Sequence, residues 1–222
     1  MQDLQDLEIL EIEVLELLHS IKALDSLFFG GGTMLRLCHN LNRYSTDLDF
    51  WLSPSSDVKN INSKIKQVLQ NNYRLSDSEN KKYTLLYEFR SGKVSRNLKI
   101  EIRKEQTNFD WESKIAFSRY TDKQVLIKGL TLPQMMKNKI SALLSRKLIR
   151  DCFDIEFLLM RGVELPNDKN KLLEISKIIN SYKTRDYKVI LGSILEEKDR
   201  KFYYENKFNF LREELTKRTN SL

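Results

Sequence analysis

Leu7, Leu10, Val14, Leu17, Ile21 and Leu24 recur at three- and four-residue steps, so residues 3–24 are predicted to form an amphipathic helix. Its acidic first turns suit the positive end of the helix dipole. Ser26-Leu27-Phe28-Phe29 reads as a short buried strand that runs directly into Gly30-Gly31-Gly32-Thr33, and helical character resumes from Met34 to His39. Beyond the loop Asn40 to Ser45, the run Asp47 to Leu52 alternates as a half-buried strand, which Ser53-Pro54 ends. Val58, Ile61, Ile65, Val68 and Leu69 restore the helical period. Tyr83 to Arg90 and Leu98 to Arg103, joined through Gly92, read as an antiparallel pair, with Gln124 to Lys128 as a last strand.

From Thr131-Leu132-Pro133 onward the period is helical throughout. Met136, Ile140, Leu143 and Leu144 keep that spacing, as do Phe153, Phe157 and Leu158, and then Leu172, Ile175, Ile178 and Ile179. Val189 to Leu195 and Phe202 to Leu215 also suit helices, with Gly162 and Pro166 as interruptions. The expected fold class is therefore α+β. Residues 1–130 form a mixed sheet with flanking helices, and residues 131–222 form a C-terminal helical bundle.

Composition narrows the setting. The chain is 41% hydrophobic and 31% charged, values of a globular protein with a well-solvated surface. Cys38 and Cys152 lie far apart and match no metal-ligand spacing, which points to reduced, space-filling thiols. The N-terminus lacks a basic region and no segment reaches membrane-spanning length, so a cytoplasmic protein with no membrane contact is expected. Net charge is +7, unevenly placed. Residues 1–20 hold no Lys or Arg, whereas Lys128, Lys137, Lys139, Arg146, Lys147 and Arg150 lie in a stretch with no acid. Such a stretch attracts phosphates or is simply a solvated helix face.

Candidate chemistry centres on residues 30–50. Asp47 and Asp49 are two apart on a strand, so both carboxylates leave one face while Leu48 and Phe50 enter the core. Two convergent carboxylates suit Mg²⁺, or are the charged outer face of an ordinary strand. The glycine turn lets backbone N–H groups approach a phosphate and Thr33 adds a hydroxyl, although a tight turn with a helix cap explains the same residues. Phosphate cradle and acidic strand, one short helix and loop apart, together place a triphosphate against its cation.

With those residues in register, Gly31-Gly32-Thr33 followed by Arg43-x-Ser45-x-Asp47-Leu48-Asp49-Phe50 resembles the first motif of the polymerase-beta-type nucleotidyltransferase superfamily, in the form of its AbiEii/AbiGii toxin branch. A second stretch, Lys139-Ile140-x-Ala142-Leu143-x-x-Arg146-x-x-x-Arg150-Asp151-x-x-Asp154, is similar to a later pattern of that branch. The resemblance brackets roughly residues 30–160. It implies a nucleotidyltransferase-like sheet and a third carboxylate on a neighbouring strand. Glu101, which faces away from Leu98, Ile100 and Ile102, is the candidate, with Glu88 as runner-up.

The resemblance further implies two Mg²⁺ ions, replaceable by Mn²⁺, on Asp47, Asp49 and Glu101. The nucleotide would be held by Gly31, Gly32, Thr33, Arg43, Ser45, Lys139 and Asp154. Partners would be an NTP, an acceptor hydroxyl on RNA such as a transfer-RNA 3′ end or on protein, and an antitoxin encoded nearby. Two other classes stay open: a degenerate nucleotide-binding module with a misplaced Glu101, and a nucleic-acid-binding protein acting through a basic stripe of Lys139, Arg146 and Arg150. His19 and His39 form no metal cluster. Trp51 and Trp111 read as core aromatics, and Tyr203, Tyr204, Phe208 and Phe210 as packing within the helical part.

Overall fold

The computed structural model describes residues 2–105 and 107–222. The chain divides into two compact units, Met1–Thr131 and Leu132–Leu222.

In the first unit the N-terminal apolar stripe forms helix α1 (Gln2–Ser20), which buries Leu7, Leu10, Val14 and Leu18. It stops short of Leu24 because Lys22 adopts a left-handed conformation (φ 58°) and the chain tightens into a 3₁₀ turn at Ala23–Ser26. Strand β1 (Leu27–Gly30) is buried throughout. Helix α2 (Gly31–His39) starts at the glycines themselves, three residues earlier than the apolar pattern indicates. Strand β2 (Asp47–Leu52), helix α3 (Val58–Asn72), β3 (Arg74–Asn80), β4 (Thr84–Arg90), β5 (Leu98–Arg103), β6 (Trp111–Phe117) and β7 (Gln124–Leu130) follow.

Among the described residues the strands form one mixed seven-stranded sheet of order β3-β4-β5-β2-β1-β7-β6. β2 runs antiparallel to β1 and parallel to β5, and β1 runs parallel to β7. The expected β4–β5 antiparallel pair forms. Period-two alternation gives the sheet two unlike faces. Leu48, Phe50, Leu85, Tyr87, Phe89, Ile100 and Ile102 fill the buried face, where the Tyr87 hydroxyl bonds Asn62 Oδ1 of α3 at 2.6 Å. The other face carries Asp47, Asp49 and Glu101, each half-buried. β3 and β6, the two edges, were absent from the apolar pattern. β3 is almost wholly polar, and β6 turns its large apolar side chains to solvent.

The second unit is helical, with α4 (Leu132–Arg146), α5 (Ile149–Met160), α6 (Lys169–Ser181), α7 (Glu197–Asn206) and α8 (Asn209–Ser221). Within it α4 packs on α5 and α6, and α8 packs on α5 and α6. The expected helical content is present, but a helical bundle as such is not established, and two helical runs read from the sequence are broken. Lys147 (φ 54°) ends α4 before Arg150, and Lys207 and Phe208 (φ 47° and 59°) separate α7 from α8. Val189 to Leu195 lies in a π-helical turn (Asp186–Leu191) and a 3₁₀ turn (Gly192–Ile194). Tyr203 and Phe208 are buried as expected, whereas Tyr204 and Phe210 are exposed. Among the described residues no helix is long and apolar enough to cross a membrane.

Candidate active site

Strand pairing decides which side chains meet. β2 sets Asp49 beside Gly30 of β1 on one flank and beside Glu101 of β5 on the other, while Asp47 pairs with Lys99. Glu88 sits one strand farther out, opposite Lys99, and accepts a 2.6 Å hydrogen bond from Asn97. Register therefore brings Glu101 alongside Asp49 and leaves Glu88 away from it.

The glycine turn closes directly over Asp49. Gly31 is left-handed (φ 76°), and a Cβ there would lie 2.2 Å from Asp49 Oδ2. A Cβ on Gly32 would lie 2.4 Å from Arg43 Nη2 and 2.9 Å from Ser45 Oγ. Two bare positions thus let the turn rest on the acid from one side and on Arg43 and Ser45 from the other. Gly30, the residue before α2, has no side chain to cap the helix start.

Thr33 makes a contact that its place in the glycine turn does not announce. It is fully buried and its Oγ1 donates to the Asp47 carbonyl at 2.6 Å, which commits its one hydroxyl proton. It ties α2 to β2. Arg43 is buried too, and its Nη1 donates to Tyr44 O at 3.0 Å.

Lys99 is a site residue that the sequence pattern did not single out. Its Nζ lies 3.0 Å from Glu101 Oε2, and Arg103 Nε lies 3.8 Å from Glu101 Oε1. Burial opposes its charge. The Glu101 hydrogen bond and the fields of Glu101, Asp47 and Asp49 outweigh burial and raise its pKa. Its signal was the spacing Lys99-x-Glu101, which puts both side chains on one strand face. Among the described residues no three His, Cys, Asp or Glu side chains are gathered closely enough to hold a metal as they stand. The donors nonetheless suit Mg²⁺ in kind: three carboxylates on adjacent strands, with a cation drawn among them.

Behind the site, Glu8 and Glu11 of α1 are buried acids on the apolar stripe. Glu8 pairs with Arg36 of α2 and accepts from Ser118 Oγ at 2.7 Å. Arg36 also donates to Leu41 O at 3.1 Å and lies 3.9 Å over the Tyr44 ring. This anchors the loop that leads into β2. Burial, then the Glu8 charge and more weakly Asp47, push Glu11 well above the usual carboxylate range, against the pull of Arg36. Both thiols are pushed up to about 12 by burial, which removes Cys38 and Cys152 as nucleophiles near neutral pH.

The remaining nucleotide-binding candidates are in the second unit. Lys139 of α4 is buried, 2.6 Å from Asp154 Oδ2 and 3.9 Å from Asp151 Oδ1. Arg146 Nε and Nη2 donate to the two Asp151 oxygens at 2.8 and 2.7 Å. Asp151 and Asp154 are fully buried. The expected open basic stripe of Lys139, Arg146 and Arg150 is therefore not formed, because Lys139 and Arg146 bind α5 carboxylates and Arg150 sits beyond the break at Lys147. Trp51 is buried as expected; Trp111 is 44% exposed and stacks on Phe28 with ring centroids 5.9 Å apart.

Against known proteins, the family model for the nucleotidyl transferase AbiEii toxin of type IV toxin–antitoxin systems matches residues 17–218. No curated protein matches. Among solved structures, the MenT4 nucleotidyltransferase toxin Rv2826c of Mycobacterium tuberculosis is similar at 16% identity and a TM-score of 0.59, covering 94% of this chain and 84% of that one. JHP933 of Helicobacter pylori is similar at 21% identity and a TM-score of 0.56, covering 93% of each chain. At these identities the two structures speak to fold alone.

Proposed function

The chain belongs to the AbiEii family of nucleotidyltransferase toxins, and from that premise we propose that it transfers the nucleoside monophosphate of an NTP to an acceptor hydroxyl on RNA or protein. One observation carries this reading: the register that sets Glu101 beside Asp49, under a glycine turn whose Gly31 has no room for a side chain.

The acceptor oxygen attacks the α-phosphorus, the bond to the bridging oxygen of the β-phosphate breaks, and pyrophosphate departs as the hydroxyl proton is lost. Mg²⁺, or Mn²⁺ in its place, would supply charge neutralisation of the triphosphate and a lowered pKa at the acceptor hydroxyl, with Asp47, Asp49 and Glu101 as its ligands. The N–H groups of Gly31 and Gly32 open α2 and hold phosphate oxygens. Thr33 fixes that helix start to Asp47, and Arg43 with Ser45 buttresses the turn from beneath. Lys99 balances the carboxylate charge and would give up Glu101 to a bound cation. Lys139 and Asp154 are assigned to holding α4 on α5, in keeping with their buried 2.6 Å ion pair.

The Lys99–Glu101 contact also favours a second reading, a nucleotide-binding module in which Glu101 never leaves its lysine. Purified protein incubated with each α-labelled NTP, Mg²⁺, total RNA and cell-extract protein separates the two. Label on RNA or protein supports the transferase. Saturable nucleotide binding with no transfer supports the module. Family membership in a type IV toxin–antitoxin system implies a cognate antitoxin, and its reading frame is expected beside this gene.

A further inference from the structure

The two edges of the sheet are built differently. β3 is polar apart from Leu75 and its register slips between Leu75 and Asp77, features that blunt an edge against pairing. β6 has neither protection. Its pairing with β7 is regular from Trp111 to Phe117, and it contains no proline. On its solvent face Trp111, Ile115 and Phe117 are 44%, 52% and 38% exposed, and Leu126, paired with Ile115 on β7, is 59% exposed. The result is an exposed row of apolar side chains along an unpaired strand, interrupted by Ser113 and its β7 partner Lys128.

The sequence of β6 is complementary to itself. Antiparallel pairing of two copies about Ser113 sets Glu112 opposite Lys114 of the second copy, and Lys114 opposite its Glu112, on one sheet face. The same register sets Trp111 against Ile115 of the second copy on the other face, in both directions. A register centred on Lys114 opposes like charges, and a register offset by one residue puts Glu112 against Ile115. Oppositely charged and aromatic–β-branched cross-strand pairs are the ones that stabilise an antiparallel ladder. In the single chain Lys114 already bends toward Glu112, 3.0 Å away on its own strand, so both charges stand on the face they would share.

We propose that β6 is a homodimer interface, in which two chains join their sheets edge to edge about a two-fold axis at Ser113. Such an isologous contact closes on itself and uses up the exposed edge, pairing Glu112 and Lys114 across the axis instead of leaving them as edge charges. With the axis normal to the sheet, both copies of the Asp47, Asp49 and Glu101 face look the same way.

Register-specific crosslinking tests this. Opposed residues of an antiparallel pair have Cα atoms about 4.5–5.5 Å apart, within the roughly 4.4–6.8 Å span of a disulfide. Ser113→Cys should therefore give a reducible dimer under mild oxidation, and Lys123→Cys, outside the strand, should not. Wild-type protein should sediment as a dimer at micromolar concentration, and Glu112→Lys should weaken the dimer by about tenfold or more through opposed lysines. Glu112→Lys combined with Lys114→Glu should restore it. A monomer at tens of micromolar, a dimer indifferent to Glu112→Lys, or no Ser113→Cys crosslink overturns the proposal. So does an edge that binds only a different protein. The crosslink decides the matter even where a charge variant folds poorly.

Discussion

Replacing Gly31 by alanine isolates the contact on which the site is built. A left-handed backbone costs a non-glycine residue about 1–2 kcal/mol, and Gly31 has φ 76°. The added methyl would also stand 2.2 Å from Asp49 Oδ2, 2.8 Å from Asp49 Cβ and 2.9 Å from Asp49 Cγ. Ordinary non-bonded separation is roughly 3.5 Å, so turn and carboxylate must part by about 1 Å. A displacement of that size at reacting groups costs on the order of 100-fold in rate. Gly162→Ala is the matched control, because Gly162 is also left-handed (φ 81°) but nothing lies within 4 Å of its Cβ position. Both variants should lose roughly 3–10 °C in melting temperature from backbone strain. Only Gly31→Ala should lose about 100-fold in α-label transfer. Gly31→Ala with activity within about threefold of Gly162→Ala would refute the idea that the bare turn positions Asp49.

Other substitutions test the remaining parts. Glu101→Gln should lower transfer at least tenfold with little change in melting temperature; wild-type activity would remove Glu101 from the ligand set and point to Glu88 or another acid. Lys139→Ala leaves Asp154 buried without its 2.6 Å partner and should destabilise by about 3–5 kcal/mol in denaturant unfolding, while an unchanged midpoint would contradict its structural assignment. Glu11, with its pKa raised by burial, contributes most when protonated. That contribution is complete below the unfolded value of about 4.3 and is lost as pH rises toward the folded value. Glu11→Gln, neutral throughout, should therefore gain on wild type in thermal melts between about pH 5 and 8 and converge with it near pH 4. A constant difference across that range would remove Glu11 as the titrating group.

The centre of the sheet was legible because its strands alternate cleanly. Asp47 to Phe50 and Leu98 to Arg103 each bury every second side chain, so the placement of Asp47 and Asp49 on one face of β2, and of Glu101 on the less buried face of β5, follows from periodicity. The edges were not. An edge strand has one neighbour and needs no apolar alternation, so Arg74 to Asn80 looks like a loop, and Trp111, a large aromatic, reads as core although it stands 44% exposed on the edge strand. Helix breaks at Lys147 and Lys207 escaped notice because lysine in a left-handed conformation has no signature comparable to glycine or proline. Side-chain pairing was the other blind spot. Lys139 and Thr33 match the expected ligand types, yet the structure spends the first on Asp154 and the second on the Asp47 carbonyl. Glu8 and Arg36, 28 residues apart, gave a sign only as an acid lying on an apolar stripe.

The most direct measurement compares α-labelled with γ-labelled NTP in the presence of Mg²⁺, using wild-type protein and Asp49→Asn. Transfer of the α-label alone to RNA or protein by wild type, and none by an Asp49→Asn variant that melts at the wild-type temperature, is the predicted result. Undiminished transfer by Asp49→Asn, or transfer of the γ-label, would contradict a nucleotidyltransferase site built on this strand.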